Sequence, residues 1–178
     1  IPFAQNTINK IYNPTAAQSI WKAMLSTNQV LSNFRSDFVG KASPVHLFWG
    51  AFDLAVTRFS GKEAPLHPGG MPNMPEEVMQ EAYSKEVSSC GFWPGSKDFP
   101  HPIFYAYGYP SAEEFSKQPV KPESAFWSPE MGEFMLKYED VIQSENPEQM
   151  LMDFFNSTYE ATARTSKWNR NELEYNHG

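Results

Sequence analysis

Cysteine is almost absent. Cys90 is the one thiol in 178 residues, so no disulfide can close within the chain, and a reducing cytoplasm is the expected compartment. Long apolar runs are missing as well: nowhere do the roughly 18 consecutive apolar residues of a spanning helix occur. Basic residues are few, with 14 Lys and Arg against 21 Asp and Glu, a net charge of −7 and a pI of about 5.1. Nucleic acids and anionic membranes are bound chiefly by cations that neutralise phosphates, and no basic stripe is present to do so. Neither is expected as a partner. No secretory signal is visible. The chain opens on Ile1-Pro2 rather than Met, as a fragment or a processed product would. His46, His67, His101 and His177 show no HxH, HxxxH or HExxH spacing, so no metal is expected. Gly40-Lys41 and Gly61-Lys62 lack the spacing of a phosphate-binding loop, and nothing else calls for a cofactor.

What the chain has is aromatic mass. Fourteen Phe, eight Tyr and five Trp make up 15% of it, enough buried area for a core without covalent staples. Asn13-Pro14 carries a helix start. Ala17, Ile20, Met24, Thr27, Leu31, Phe34 and Phe38 then recur at steps of three and four, which predicts a helix over 14–39 stopped by Gly40. Residues 44–60 are apolar on both parities, as in a central strand covered on both faces or in a hairpin, with Gly50 as a bulge or turn. The Pro- and Gly-rich 61–75 reads as loop, and Pro75-Glu76-Glu77 starts a short helix to about Tyr83. Residues 86–93 and 102–109 read as antiparallel neighbours. A helical turn is expected at 111–116, and strands over 125–128 and 133–141. Asn146-Pro147-Glu148-Gln149 repeats the helix-start chemistry, with Gln149 placed for a capping box; that helix runs to about Lys167. The polar tail 169–178 is expected to fray. The order predicts a single α+β domain: a mostly antiparallel sheet of four to six strands with two long helices packed on it.

Candidate chemistry gathers in the sheet. His46, Asp53 and Arg58 lie inside the apolar 44–60 run, with Trp49 among them. An unpaired buried ion costs several kcal/mol, so these groups must pair or face a cavity. On an unbroken strand His46 and Arg58 share a face and Asp53 points away; a bulge at Gly50 would instead place Asp53 with Arg58. One reading is a pocket in which Arg58 grips a carboxylate or phosphate. The other is an internal ion pair of Arg58 with Glu86 or Asp53. Glu86, Ser88 and Cys90 share one face by parity, and Cys90 is expected to be a buried, inert thiol. Tyr105, Tyr107 and Tyr109 line one face of a strand, with Trp93 at the end of the preceding one. They read either as an amphipathic platform for a flat ligand or a protein surface, or as a core face. Ile103 shares their parity and argues for core. His67, in the 61–75 loop, reads first as a solvated loop side chain and, as the alternative, as a candidate lid residue.

The string DFVGKASPVHLFWGAFDLAVTRFSG at 37–61, with EAYSKEVSSCGFWPG at 81–95, FYAYGYP at 104–110, GEFMLKYE at 132–139 and STYEATA at 157–163, resembles an uncharacterised, mainly bacterial family classed as a domain of unknown function. The resemblance spans residues 34 to 168. Members are about twice this length, and their front half carries a similar Gly-Lys segment followed by an aromatic strand. The resemblance therefore implies an internal duplication, of which this chain would be the C-terminal half and the N-terminal half its partner. Lys85 stands where His is common and Cys90 where a small residue is common, which argues against chemistry at either. No activity comes with the family. The expected function is ligand binding or protein interaction, including self-association. The alternative is a hydrolase- or transferase-type enzyme for a small polar or anionic metabolite, with Glu86 or His46 as acid and base and Arg58 as anchor.

Overall fold

The computed structural model describes residues 2–6, 12–70 and 74–175; His177 lies outside them. Six strands, β1 (His46–Phe48), β2 (Asp53–Glu63), β3 (Lys85–Trp93), β4 (Ile103–Tyr109), β5 (Phe126–Ser128) and β6 (Glu133–Lys137), form one sheet. Its order is β1-β2-β3-β4-β6-β5, with every pairing antiparallel. Two long helices, α1 (Pro14–Ser36) and α4 (Pro147–Thr165), pack against each other and against one face of this sheet. The α+β architecture is the one the sequence predicts.

Both long helices start as their sequences dictate. The Asn13 side chain accepts from the Ala16 amide at 3.1 Å, and Asn146 accepts from Gln149 at 3.2 Å; each satisfies an amide left over at a helix start. The capping box is only half made, because the Gln149 side chain reaches forward to Asp153 at 2.8 Å rather than back to Asn146. α1 buries Ala23, Met24, Thr27, Val30, Leu31 and Phe34, the predicted stripe. It stops at Ser36, short of Gly40, because Phe38 leaves the helix to bridge Glu174, and the Val39 amide donates to the Leu173 carbonyl at 2.9 Å. α4 ends through Lys167 at φ 52°, with the Trp168 amide donating back to Ala163 at 2.8 Å, a left-handed cap made without glycine. Lys62 Nζ donates to the Ser166 and Lys167 carbonyls, placing a cation at the negative end of that helix.

The apolar 44–60 run takes the hairpin alternative, with Gly50 inside its turn at residues 49–52. Three expectations are corrected. β2 continues to Glu63, three residues into the expected loop, by a register shift between Phe59 and Glu63 around Gly61, whose φ is 85°. The last strand stops at Lys137, and a helix, α3 (Tyr138–Ile142), follows. Residues 169–175 do not fray: α5 (Arg170–Leu173) forms, and the Glu174 carboxylate accepts from Tyr159 at 2.9 Å and from Arg170.

Register assigns each side chain a face, since residues directly paired across antiparallel strands point the same way. Val56, Cys90, Ala106 and Phe134 form one row and face the long helices, with Leu54, Phe92, Phe104 and Leu136 in the rows beside it. His46, Ala55, Gly91, Tyr105, Met135 and Phe126 form a row on the other face. That second face is partly covered by α2 (Glu76–Ala82), its C-cap residue Tyr83, and the 64–70 loop. Among the described residues no helix is long and apolar enough to cross a membrane.

Candidate functional site

The second face carries a connected polar network. Tyr105 donates its phenol to the Asp53 carboxylate, reaching diagonally across β3. It can do so because position 91 is glycine: a Cβ there would stand 2.8 Å from the Tyr105 hydroxyl and 2.5 Å from the Leu54 carbonyl. The Tyr105 and Tyr107 rings run nearly parallel, 12° apart with centroids at 6.3 Å. Tyr107 shares a hydrogen bond with Tyr83 at 2.9 Å, and Thr57 shares one with Ser89 at 2.9 Å.

His67 closes over one end. Its ring stacks on Tyr83 with centroids at 4.7 Å and tilts against Tyr109 at 4.9 Å. Its Nδ1 accepts from the Gly69 amide at 3.1 Å, which leaves the proton of the neutral ring on Nε2. Tyr109 donates to the Pro65 carbonyl at 3.0 Å. The loop is therefore pinned to the sheet by two adjacent tyrosines.

Two carboxylates stand in this face. Burial is the main cause that raises the Asp53 carboxyl, opposed by the Tyr105 hydrogen bond, its own amide and the nearby charge of His46. Glu133, at the start of β6, is pushed up to about 7 by burial and then by Asp53. No described residue makes a hydrogen bond or an ion pair with the half-buried Glu133 carboxylate. The sequence reading missed it: Glu133, Met135 and Lys137 alternate like a solvent-facing strand side. Only the placement of β6 beside β4 brings Glu133 to the tyrosines. Burial also raises the phenols of Tyr83, Tyr105 and Tyr107, so all three remain hydrogen-bond donors.

The hairpin settles the parity question in a third way. His46 pairs with Ala55 and so shares the face of Asp53, while Arg58 lies opposite. His46 packs on Phe48 with centroids at 4.2 Å. Trp49, at the turn, is 84% exposed. Trp93 donates to the Ala51 carbonyl at 3.1 Å and stacks on Phe99 at 5.5 Å, bracing the hairpin at the margin of the network.

Arg58 and Glu86 lie on the helix side, and neither pairs with the other. Arg58 is 2% exposed, with its guanidinium 3.5 Å from the Phe34 ring centroid, 4.4 Å from Tyr159 and 5.1 Å from Phe38. It donates through Nη2 to the Phe34 carbonyl, and its Nε has no partner. Burial lowers its pKa to about 10, which leaves it charged at neutral pH. A cavity of about 150 Å³ beside it is lined by Asp37, Glu160, Arg170 and Glu174 among others. Glu160 and Glu174 pair with Arg170, and none of the three acids forms an ion pair with Arg58. The expected internal pairs of Arg58 with Asp53 or Glu86 are thus absent, and cation–π contact takes their place. Glu86 keeps one buried carboxylate oxygen without a hydrogen bond. Cys90 is buried, and burial pushes its thiol well up against the counter-pull of Arg58; its thiolate is not available as a nucleophile. Among the described residues no three His, Cys, Asp or Glu side chains are grouped to hold a metal ion.

Residues 1–175 match the model of a family described as a family of unknown function, DUF5996, and the chain belongs to that family. No curated protein and no solved structure matches it.

Proposed function

We propose that this member of a family of unknown function is a small-molecule binding module that takes a polar ligand on the tyrosine face of its sheet, between the hairpin and the His67 loop. Glu133 carries the reading. It is a half-buried carboxylate left without a hydrogen bond among the described residues, while Asp53, Thr57, Tyr83, Ser89, Tyr105 and Tyr107 around it are matched to one another. A fully buried polar group left unmatched costs about 1–3 kcal/mol; the half-buried Glu133 carries part of that cost, and a ligand hydroxyl or amine donating to it recovers that part. The parallel Tyr105 and Tyr107 rings offer a flat apolar floor beside it. Arg58 and Glu86 take no part, because the sheet lies between them and this face.

A thermal-shift screen of hydroxyl- and amine-bearing metabolites tests the reading, followed by NMR titration of each hit. A ligand of this face raises the melting temperature and shifts the amides around Tyr105, Tyr107 and Glu133. The shift is lost in Glu133→Gln. Hits that shift only amides elsewhere count against it.

A second reading has one observation behind it: a carboxyl near 7 is poised to give and take protons at neutral pH. In that case Glu133 is the acid or base of an enzyme acting on the same ligand, and a hit is turned over by the wild type and only bound by Glu133→Gln. In either case the compartment is taken to be the cytoplasm, and the companion half of a duplicated protein, or a second copy of this chain, to meet the hairpin tip. Phe48, Trp49 and Phe52 there are 44%, 84% and 41% exposed.

A further inference from the structure

The far side of the molecule holds a feature that the polar face does not explain. Between α1, α3 and α4 lies a cavity of about 250 Å³. Ala23, Thr27 and Val30 of α1 wall one side, Leu151 of α4 another, and Phe104 and Tyr138 close it. An apolar cavity of about 150 Å³ stays dry and accepts benzene, so this one has room for a one- or two-ring compound.

The walls are mostly apolar; Ser26, Thr27, Tyr138 and Glu148 bring polar groups to the lining, and of these four only Thr27 is a buried residue. Thr27 is 2% exposed, and no described residue makes a hydrogen bond to its hydroxyl, which leaves that group to the cavity it lines. No cation lines the cavity, and its one ionisable carboxylate, Glu148, stands in the exposed first turn of α4. A charged guest would lose its hydration with no opposite charge to meet. The Phe104 and Tyr138 rings, 5.9 Å apart and 35° from parallel, present aromatic walls to a flat guest. Ile142, 52% exposed, flanks the opening.

We propose that this cavity is a binding site for a small uncharged ring compound bearing one hydrogen-bonding group, held by the apolar walls and by the Thr27 hydroxyl. It is separate from the tyrosine face and stands whether or not that face binds anything.

The test is an NMR titration of the chain with three probes of similar size: phenol, toluene and benzoate. Phenol and toluene are expected to give saturable shifts confined to the amides of 23–30 and 148–151, and benzoate none. Toluene partitions out of water more readily than phenol, so phenol binding at least as tightly as toluene marks the hydroxyl contact. Thr27→Val, of equal shape, is expected to weaken phenol by about fivefold, the worth of one net hydrogen bond, and to leave toluene within about twofold. The absence of saturable shifts at these amides with either neutral probe overturns the site, as does benzoate binding there equally well. Equal losses for phenol and toluene in Thr27→Val, or no loss for either, overturn the role of the hydroxyl. If Thr27→Val does not fold, the wild-type comparison decides: a toluene preference of about tenfold or more, as expected of a site with no hydrogen-bonding group, overturns the inference.

Discussion

Replacing Glu133 by Gln should make the protein more stable above neutral pH and leave it unchanged in acid. Burial, then Asp53, lift the Glu133 carboxyl from its ordinary 4.5 to about 7. Between those values the folded chain holds a proton that the unfolded chain has released. Stability therefore falls as pH rises through that window and levels off above it. At about 1.4 kcal/mol per tenfold change in proton affinity, the loss is bounded at about 3 kcal/mol, and partial contact with water trims it to about 2 kcal/mol. Asp53, also raised by burial, adds a slope of the same sign at lower pH, and part of it persists in the variant. Urea unfolding of wild type and Glu133→Gln at several pH values measures the difference directly. The variant should match wild type near pH 4.5 and exceed it by about 2 kcal/mol near pH 8, a gap of about 4–8 °C in melting temperature for a chain of this size. Stability curves that run parallel across this range would refute the claim that Glu133 is held in a desolvating site.

Four further variants have outcomes set by the geometry. Gly91→Ala drives a methyl into the Tyr105 phenol and the Leu54 carbonyl; it should cost about 1–3 kcal/mol in denaturant unfolding and perturb the Tyr105 ring resonances. Arg58→Ala opens a hole among Phe34, Phe38 and Tyr159 and should lose about 3 kcal/mol. Arg58→Met fills the same space without a desolvated cation and should fall within about 1 kcal/mol of wild type; equal damage from both would mean that the charge itself is required. Asn146→Ala removes the cap of α4 and should cost about 1 kcal/mol, read by thermal unfolding, with the tyrosine network left intact.

The elements were legible where their causes are local. Asn-Pro pairs at 13–14 and 146–147, followed by apolar spacing of three and four, identify both long helices, because a cap and a stripe are written in neighbouring residues. A turn inside 44–60 was one of two readings of that run. It uses Phe52 at φ 62°, a conformation usually given to glycine or asparagine, while the nearby Gly50 has an ordinary backbone. From Phe52 follows the hairpin, and from the hairpin the separation of His46 and Asp53 from Arg58. Nothing in the sequence separates α3 from the strand before it, since no proline or glycine lies between Glu133 and Ile142, and this helix is the third wall of the mostly apolar cavity.

Composition and spacing alone determined the class of this protein: helix starts, strand stretches, an acidic surface and a chain able to fold on aromatic burial. Within one strand, parity also fixed that Tyr105, Tyr107 and Tyr109 share a side. Which strands lie together, and so which charges meet, was decided only by the tertiary structure. Alternation relates residues of one strand, whereas the contacts between Asp53 and Tyr105, Arg58 and Phe34, and Glu133 and its tyrosine neighbours join segments tens of residues apart. Those contacts depend on register and packing, which no local pattern encodes.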